Sequence, residues 1–232
     1  MIPEVVKNWI PRLPMTAPSL VGRHVRTDPL DLSKDIPLLW DALGGNDESI
    51  NERLKWYGFA DLGNEQDLSD LLERFHQPAT GCCVNVFRLV PSNQVAGMAS
   101  YMATRPEHGS TEVGLVAHGP AMAQSPAATE AHYLLAQHAF ETMGYRRYEW
   151  KCDSNNAPSN KAARRYGFTY EGQFRQHIVT AKGNNRDTNW YSMLDSEWPQ
   201  RKKAMEAWLH PSNFDQDGKQ KHQLQHFQES NK

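Results

Sequence analysis

The chain has 232 residues, with 25 Lys plus Arg against 27 Asp plus Glu and a formal net charge of -2. That balance argues against a nucleic-acid partner or an anionic membrane surface recruited by bulk positive charge. No window approaches the roughly 18 uninterrupted apolar residues of a membrane span, and Met1-Ile2-Pro3-Glu4 lacks the charged and apolar regions of a secretory signal, so a cytoplasmic protein is expected.

Hydrophobic residues make up 39% of the chain, enough for a core, while a mean hydropathy of -0.72 implies that some polar stretch lies outside it. Cys82, Cys83 and Cys152 are odd in number, and the adjacent pair cannot form a C-x-x-C knuckle. They are expected as free thiols, with no metal site.

Pro3, Pro11, Pro14 and Pro18 mark residues 1–20 as an extended arm, with Trp9 and Ile10 available to dock on the body. A short strand pattern follows within 21–29. Ile36, Leu38, Leu39 and Leu43 then fit one helix face after the N-cap candidates Asp31 and Ser33, and Leu68, Leu71, Leu72 and Phe75 predict a second helix over 64–75. From 83 the period changes to two, and residues 83–90, 94–103 and 111–117 read as an antiparallel meander. Ser125-Pro126 opens a helix reaching Met143, with Gly144 as its natural stop.

Residues 146–152 form a further strand, Asn156 caps a short helix ending at Tyr166-Gly167, and 168–180 with 188–194 read as a closing hairpin. The third meander strand, the long helix and the next strand make a β-α-β crossover. The fold class is therefore α/β, of the α+β type: one domain over 21–199, a mixed, mostly antiparallel sheet, and helices on both faces. Beyond it, Ala204, Met205, Trp208 and Leu209 form an amphipathic stripe free to cover the sheet or a second subunit. Residues 200–232 are otherwise expected to be a polar, disordered tail.

Small side chains at the start of the long helix, Ser125, Ala127, Ala128 and Thr129, would let an anion approach its free N–H groups, although the same pattern is found in any well-made helix start. Asn156 and Ser159 bring two polar groups to the same edge of the sheet, and Lys161, Arg164 and Arg165 follow as potential phosphate partners.

These residues, with Thr129-Glu130-Ala131, Gly167-Phe168, Tyr170-Glu171-Gly172, Arg186-Asp187 and Tyr191-Ser192, resemble the Gcn5-related N-acetyltransferases, in particular the branch of ribosomal-protein alanine acetyltransferases. The resemblance covers about residues 22–199. It implies acetyl-CoA as co-substrate without a metal, a bulged strand whose Leu115, Val116 and Ala117 bond the pantetheine, and a pyrophosphate site over Ala123, Gln124, Ser125, Ala127, Ala128 and Thr129, with Asn156, Ser159, Lys161 and Arg164 beside the coenzyme. The phosphate loop departs from the family pattern: Ala123 takes its first position and Pro126 the place of a glycine.

Transfer to an amine needs a route for the amine proton and a partner for the leaving thiolate. Glu112 is the expected base, against the alternative of a surface glutamate paired across the meander, with His177 second. The family's usual tyrosine acid is absent, its place being Ala163, and neighbouring Tyr166 is expected to point elsewhere. Ser159 is therefore assigned to the thiolate. Trp56, Trp150, Asp187 and Tyr191 are the candidates for the acceptor pocket.

Cys152 lies beside the cleft without a histidine placed to activate it, which disfavours a covalent acyl-enzyme. The expected activity is direct acetyl transfer to a primary amine, on a small molecule or a peptide N-terminus, by a monomer or homodimer. The altered loop and missing tyrosine support the alternative, a non-catalytic acyl-CoA-binding or regulatory module on the same fold.

Overall fold

In the computed structural model, which describes residues 6–229, eight strands form one sheet in the order β1-β2-β3-β4-β5-β6-β8-β7. β1 (Leu20–Val21) and β2 (Val25–Pro29) precede α1 (Leu32–Ala42), α2 (Asp47–Leu54) and α3 (Glu65–Phe75). The expected meander follows as β3 (Cys83–Leu89), β4 (Val95–Arg105) and β5 (Ser110–His118). α4 (Pro126–Gln137) leads to β6 (Arg147–Asp153), then α5 (Ala157–Arg165), β7 (Thr169–Val179) and β8 (Asn185–Leu194). The described chain closes with α6 (Trp198–Leu209) and α7 (Leu224–Glu229).

Strand neighbours are antiparallel except β5 and β6, which run parallel across the α4 crossover. None of the described helices is long and apolar enough to cross a membrane.

Capping residues set the early helix starts: Asp31 accepts from the Ser33 amide, Asn46 from Ser49, and Asn64 from Gln66 and Asp67. On α1, Ile36 and Leu39 are buried, as is Leu43 just past its end, whereas Leu38 is exposed, lying off the stripe that the others form. α2 has no counterpart among the elements expected from sequence. Its only buried residues are Ile50 and Leu54, four apart, and two anchors do not make a periodicity.

Two cores fill the two faces of the sheet. Leu39, Leu43, Ile50, Leu68 and Leu72 pack with Val84, Val86 and Leu115 on the α1–α3 side. On the other side Ala131, Leu135 and Phe140 meet Tyr101, Tyr148, Trp150 and the α6 residues Ala204, Met205 and Trp208. The α6 stripe is thus covered within its own chain.

Two expectations about the termini are corrected. Leu224 is fully buried in the α4-side core, Asn213 is buried, and Gln228 donates to the Arg165 carbonyl at 2.9 Å, so the chain out to 229 packs on the body instead of forming a disordered tail. In the arm, Trp9 docks as expected, its indole donating to the Glu107 carbonyl at 2.8 Å, but Ile10 stays exposed. Pro3 and the rest of 1–5, with 230–232, lie outside the described residues.

Candidate active site

β5 and β6 are paired only at Ser110–Arg147, Thr111–Tyr148 and Glu112–Glu149, after which they part. The β4–β5 register shifts between Met98, opposite Ala117, and Ser100, opposite Gly114, and Leu115 at the shift has φ 50, in the left-handed region. This bulge carries the end of β5 away from β6. The gap is a cleft of about 660 Å³ between Val116, Ala117 and His118 on one wall and Trp150, Asn156 and Ser159 on the other. Trp56 and Tyr57, on the turn after α2, close it from the α1–α3 side, and His132 and Tyr166 form its floor.

The side chain of Leu115 belongs to the core, so its part in the cleft is the backbone bend. Tyr57 donates its hydroxyl to the Val116 carbonyl at 3.0 Å, and burial pushes its ionisation upward. Trp150 donates its indole N–H to Ser159 Oγ at 3.0 Å, while Asn156 caps α5 by accepting from the Ser159 amide. Burial raises the Cys152 thiol, and a hydrogen bond from Ser159 opposes the shift, so the sulfur is held as a neutral thiol.

Glu112 stands at the last β5–β6 pair, where the strands part. It is buried rather than on the surface. Its carboxylate accepts from Lys151 Nζ at 2.6 Å, and Lys151 also meets Glu149 at 2.8 Å and lies 4.1 Å from the centre of the Trp190 ring. Burial raises the Glu112 carboxyl above its ordinary range, with Lys151 opposing.

A second cleft, of about 830 Å³, continues from the first and is lined by Gln124, Ser125, Ala128 and Thr129 at the start of α4. Ser125 does not cap this helix: its hydroxyl donates to the Met122 carbonyl at 2.6 Å, and no side chain takes the first-turn N–H groups. Arg165 reaches across to donate to Thr129 Oγ1 at 3.0 Å, adding positive charge where the helix dipole already favours an anion. His132, almost wholly buried, leaves both ring nitrogens unpartnered on the floor, and burial, then His118 and Arg165, depress its protonation. Uncapped N–H groups, unpartnered ring nitrogens and unpaired β5 backbone fit a long, polar, anionic ligand such as a coenzyme A ester. Among the described residues no group of three His, Cys, Asp or Glu is arranged to hold a metal.

Several expected site residues lie elsewhere. His177 is exposed on β7, bonded to Thr188 and packed against Phe174 and Trp190, and lines neither cleft. Asp187 bonds Gln176, Gln173 and Asn185 within its own hairpin. Tyr191 is fully buried and donates to Asn160 Oδ1 at 2.6 Å, behind α5. Arg164 lies over the Tyr170 and Tyr191 rings, and its neighbour Arg165 faces the α4 start instead.

The Ala123 amide is bonded to the Gly119 carbonyl, and Ala127 is buried without lining either cleft. Lys161 lines the second cleft, as do Gln124, Ser125, Ala128 and Thr129; Trp56 and Trp150 line the first. Tyr166 does not point away: its ring lies 4.4 Å from that of His132 in the floor. Glu130, noted only for its motif, accepts from the amides of Arg23, His24 and Val25 and anchors the β1–β2 turn. Tyr57, His118 and His132 were not anticipated; a cap at Asn46 ahead of Ile50 and Leu54 was the available signal for the first.

The acetyltransferase (GNAT) domain model matches residues 29–169. A GCN5-related N-acetyltransferase from Brucella melitensis is 39% identical over 97% of this chain and 100% of its own, with a TM-score of 0.88. A probable acetyltransferase (GNAT family) from Chromobacterium violaceum is 32% identical over 86% of this chain and 98% of its own, with a TM-score of 0.76. RimL, a ribosomal L7/L12 alpha-N-protein acetyltransferase in complex with coenzyme A, shares the fold at 21% identity over 75% of this chain and 96% of its own, with a TM-score of 0.62. No curated protein sequence matches the chain.

Proposed function

Because the chain belongs to the Gcn5-related N-acetyltransferase family, and is therefore an acyltransferase, we propose that it moves acetyl from acetyl-CoA directly to a primary amine on a small molecule or a peptide N-terminus. The coenzyme supplies the thioester: a C–N bond forms, the C–S bond breaks, and one proton leaves the amine while the thiolate gains one. The observation that carries the reading is the parting of β5 and β6 at Glu112, with Ser159 on one wall and the uncapped α4 start beyond.

An acceptor arrives mostly as an ammonium and must lose a proton. A buried carboxylate with a raised pKa is a stronger base than an ordinary one. Lys151 already presents an ammonium to Glu112, which supports a site suited to that charge. On the cleft wall Ser159 accepts the Trp150 N–H, and its hydroxyl, turned toward Cys152 in the free chain, is free to donate a hydrogen bond to the leaving sulfur, which takes its proton from water. A thiolate whose thiol has a pKa of about 8.5 can depart on such a hydrogen bond without a protein acid.

Acceptor-dependent thiol release from acetyl-CoA, measured over amino acids, polyamines and peptides with mass detection of the N-acetyl product, tests the reading. Release with at least one amine class is expected. Coenzyme binding without release across the whole panel would overturn it. Glu112→Gln is expected to lower kcat by roughly 100-fold, to keep acetyl-CoA affinity, and to lose the pH limb on which activity rises as the carboxyl ionises. An unchanged limb would remove Glu112 from that role.

A further inference from the structure

We propose that segment 210–225 is the outer wall of the coenzyme pocket and that Lys219 within it holds the ribose 3′-phosphate of coenzyme A; this rests on the reading of the cleft as an acetyl-CoA site. The two clefts are continuous, since His118, Pro158, Ala162 and Tyr166 line both. The inner wall of the second is the α4 start and α5. Its outer wall is Phe214, Gly218, Lys219, Gln220, Gln223 and Gln225, all beyond residues 29–169 that the family domain matches. This end of the pocket lies outside the matched domain.

The wall is a built structure. Asn213, 4% exposed, donates to the Trp208 and His222 carbonyls and accepts from the His222 amide at 3.0 Å. Trp208 donates to Gln220 Oε1 at 2.8 Å, the Lys221 amide bonds the Asn213 carbonyl, and Leu224 is fully buried. These contacts fix both ends of the 215–219 turn against the body, and Gly218 at its tip takes the left-handed φ of 74 that the turn requires.

Charge selects the ligand group. Lys161, Arg165 and Lys219 line this cleft and no carboxylate does, in a chain whose net charge is -2. Of the two acids in the turn, Asp215 accepts from the Asp217 and Lys219 amides and so is turned to its own loop, and Asp217 does not line the cleft. Arg165 is engaged at the helix start, bonded to Thr129 and stacked over Trp208, where it complements the diphosphate site. Lys219 makes no ion pair among the described residues and stands on the opposite wall. Coenzyme A carries phosphate at two separate places, the 5′-diphosphate and the 3′-phosphate, and a second, separate cation across the pocket matches the second of them.

Calorimetric titration of coenzyme A and of dephospho-coenzyme A, which lacks only the 3′-phosphate, into the full chain and into Lys219→Ala tests this. The side chain is exposed, so the variant keeps the fold, which its melting temperature checks. The unmodified chain is expected to bind coenzyme A about tenfold more tightly than the dephospho form. Lys219→Ala is expected to lose about that tenfold for coenzyme A and nothing for the dephospho form. Equal losses for both ligands, or none for either, would overturn the proposal. Proteolysis within 215–221 is a second readout: coenzyme A should slow it, and equal cleavage rates with and without the ligand would count against the wall. If the 3′-phosphate is recognised through Lys219 but no amine is acetylated, the transferase reading fails and the Lys219 proposal stands. If an amine is acetylated without such recognition, the Lys219 proposal fails and the transferase reading stands.

Discussion

Trp150 and Ser159 come from a strand and the helix after it, and the single hydrogen bond between them sets which way the serine proton faces. With one lone pair taken by the indole, the hydroxyl proton is left for Cys152 in the free chain, or for a coenzyme sulfur on the proposed reading. Trp150→Phe keeps a ring against His132, Tyr166 and Phe168 but removes that donor. A neutral hydrogen bond contributes about 1 kcal/mol net, so kcat is expected to fall roughly fivefold while acetyl-CoA affinity changes by less than about twofold. Adding Ser159→Ala should then cost little more, because both changes act through one hydroxyl; fully additive losses would separate the two residues. The Asn156-x-x-Ser159 spacing was legible in the sequence because cap and first turn are local. Which of two adjacent cations faces the α4 start was not, since neighbouring helix positions diverge by about 100°, and Arg165 rather than Arg164 is on that side. Tyr57, His118 and His132 meet at the cleft only through distant sheet register and helix packing, which no local pattern encodes.

The element that creates the cleft is the bulge in β5, which the family resemblance implies at Leu115–Ala117 but which has no local mark of its own: Leu115 is an ordinary leucine held at a left-handed φ by its surroundings. Its partner strand does carry one. Gly97 lies opposite His118, and a Cβ there would stand 2.5 Å from the Ala117 carbonyl oxygen and 3.2 Å from His118 Cα. Backbone atoms cannot rotate aside as a side chain can. Gly97→Ala is expected to destabilise the protein by about 2 kcal/mol, lowering the melting temperature by roughly 4–8 °C, and to weaken coenzyme binding because the β5 rim shifts. An unchanged melting temperature would mean that the two strands tolerate the displacement. Most other elements were legible because each repeats its apolar period, whereas α5, which buries only Asn160 and Ala163, was marked by its Asn156 cap and Gly167. α2 and the turn carrying Trp56 and Tyr57 were not, having only Ile50 and Leu54 as anchors, although they roof the site.

At the scale of the whole molecule, mean hydropathy correctly suggests that polar residues collect at the C-terminus, but it cannot register that Leu224 and Asn213 suffice to pin such a segment to the core. A different global property follows from the buried histidines. Burial depresses His118 to about 4 and His132 well below its ordinary 6.5, and neither ring finds a partner for its buried unbonded nitrogen. In the unfolded chain both return to about 6.5. Above that value both states are neutral and the full stability is present. As pH falls through it, the unfolded state binds two protons that the folded state refuses until about pH 4 at His118, so unfolding becomes easier. Each histidine removes up to about 1.4 kcal/mol per pH unit, and together they should cost roughly 3 kcal/mol between about pH 7.5 and about pH 5.5. Glu141, Glu149 and Glu171, whose pKa values the fold lowers, add acid sensitivity only below the ordinary carboxylate range, and the raised pKa of Glu112 has the opposite sign. The window above that range is therefore set by histidine, and His76, His138 and His177, each also lowered by burial, add losses of the same sign to those of His118 and His132. Urea midpoints at the two pH values measure the loss, and His132→Phe, which keeps a ring against Tyr166 and Trp150, should reduce it by the His132 share of about 1.4 kcal/mol. A variant with the same pH dependence as the unmodified chain would show that the His132 ring is protonated in the folded protein.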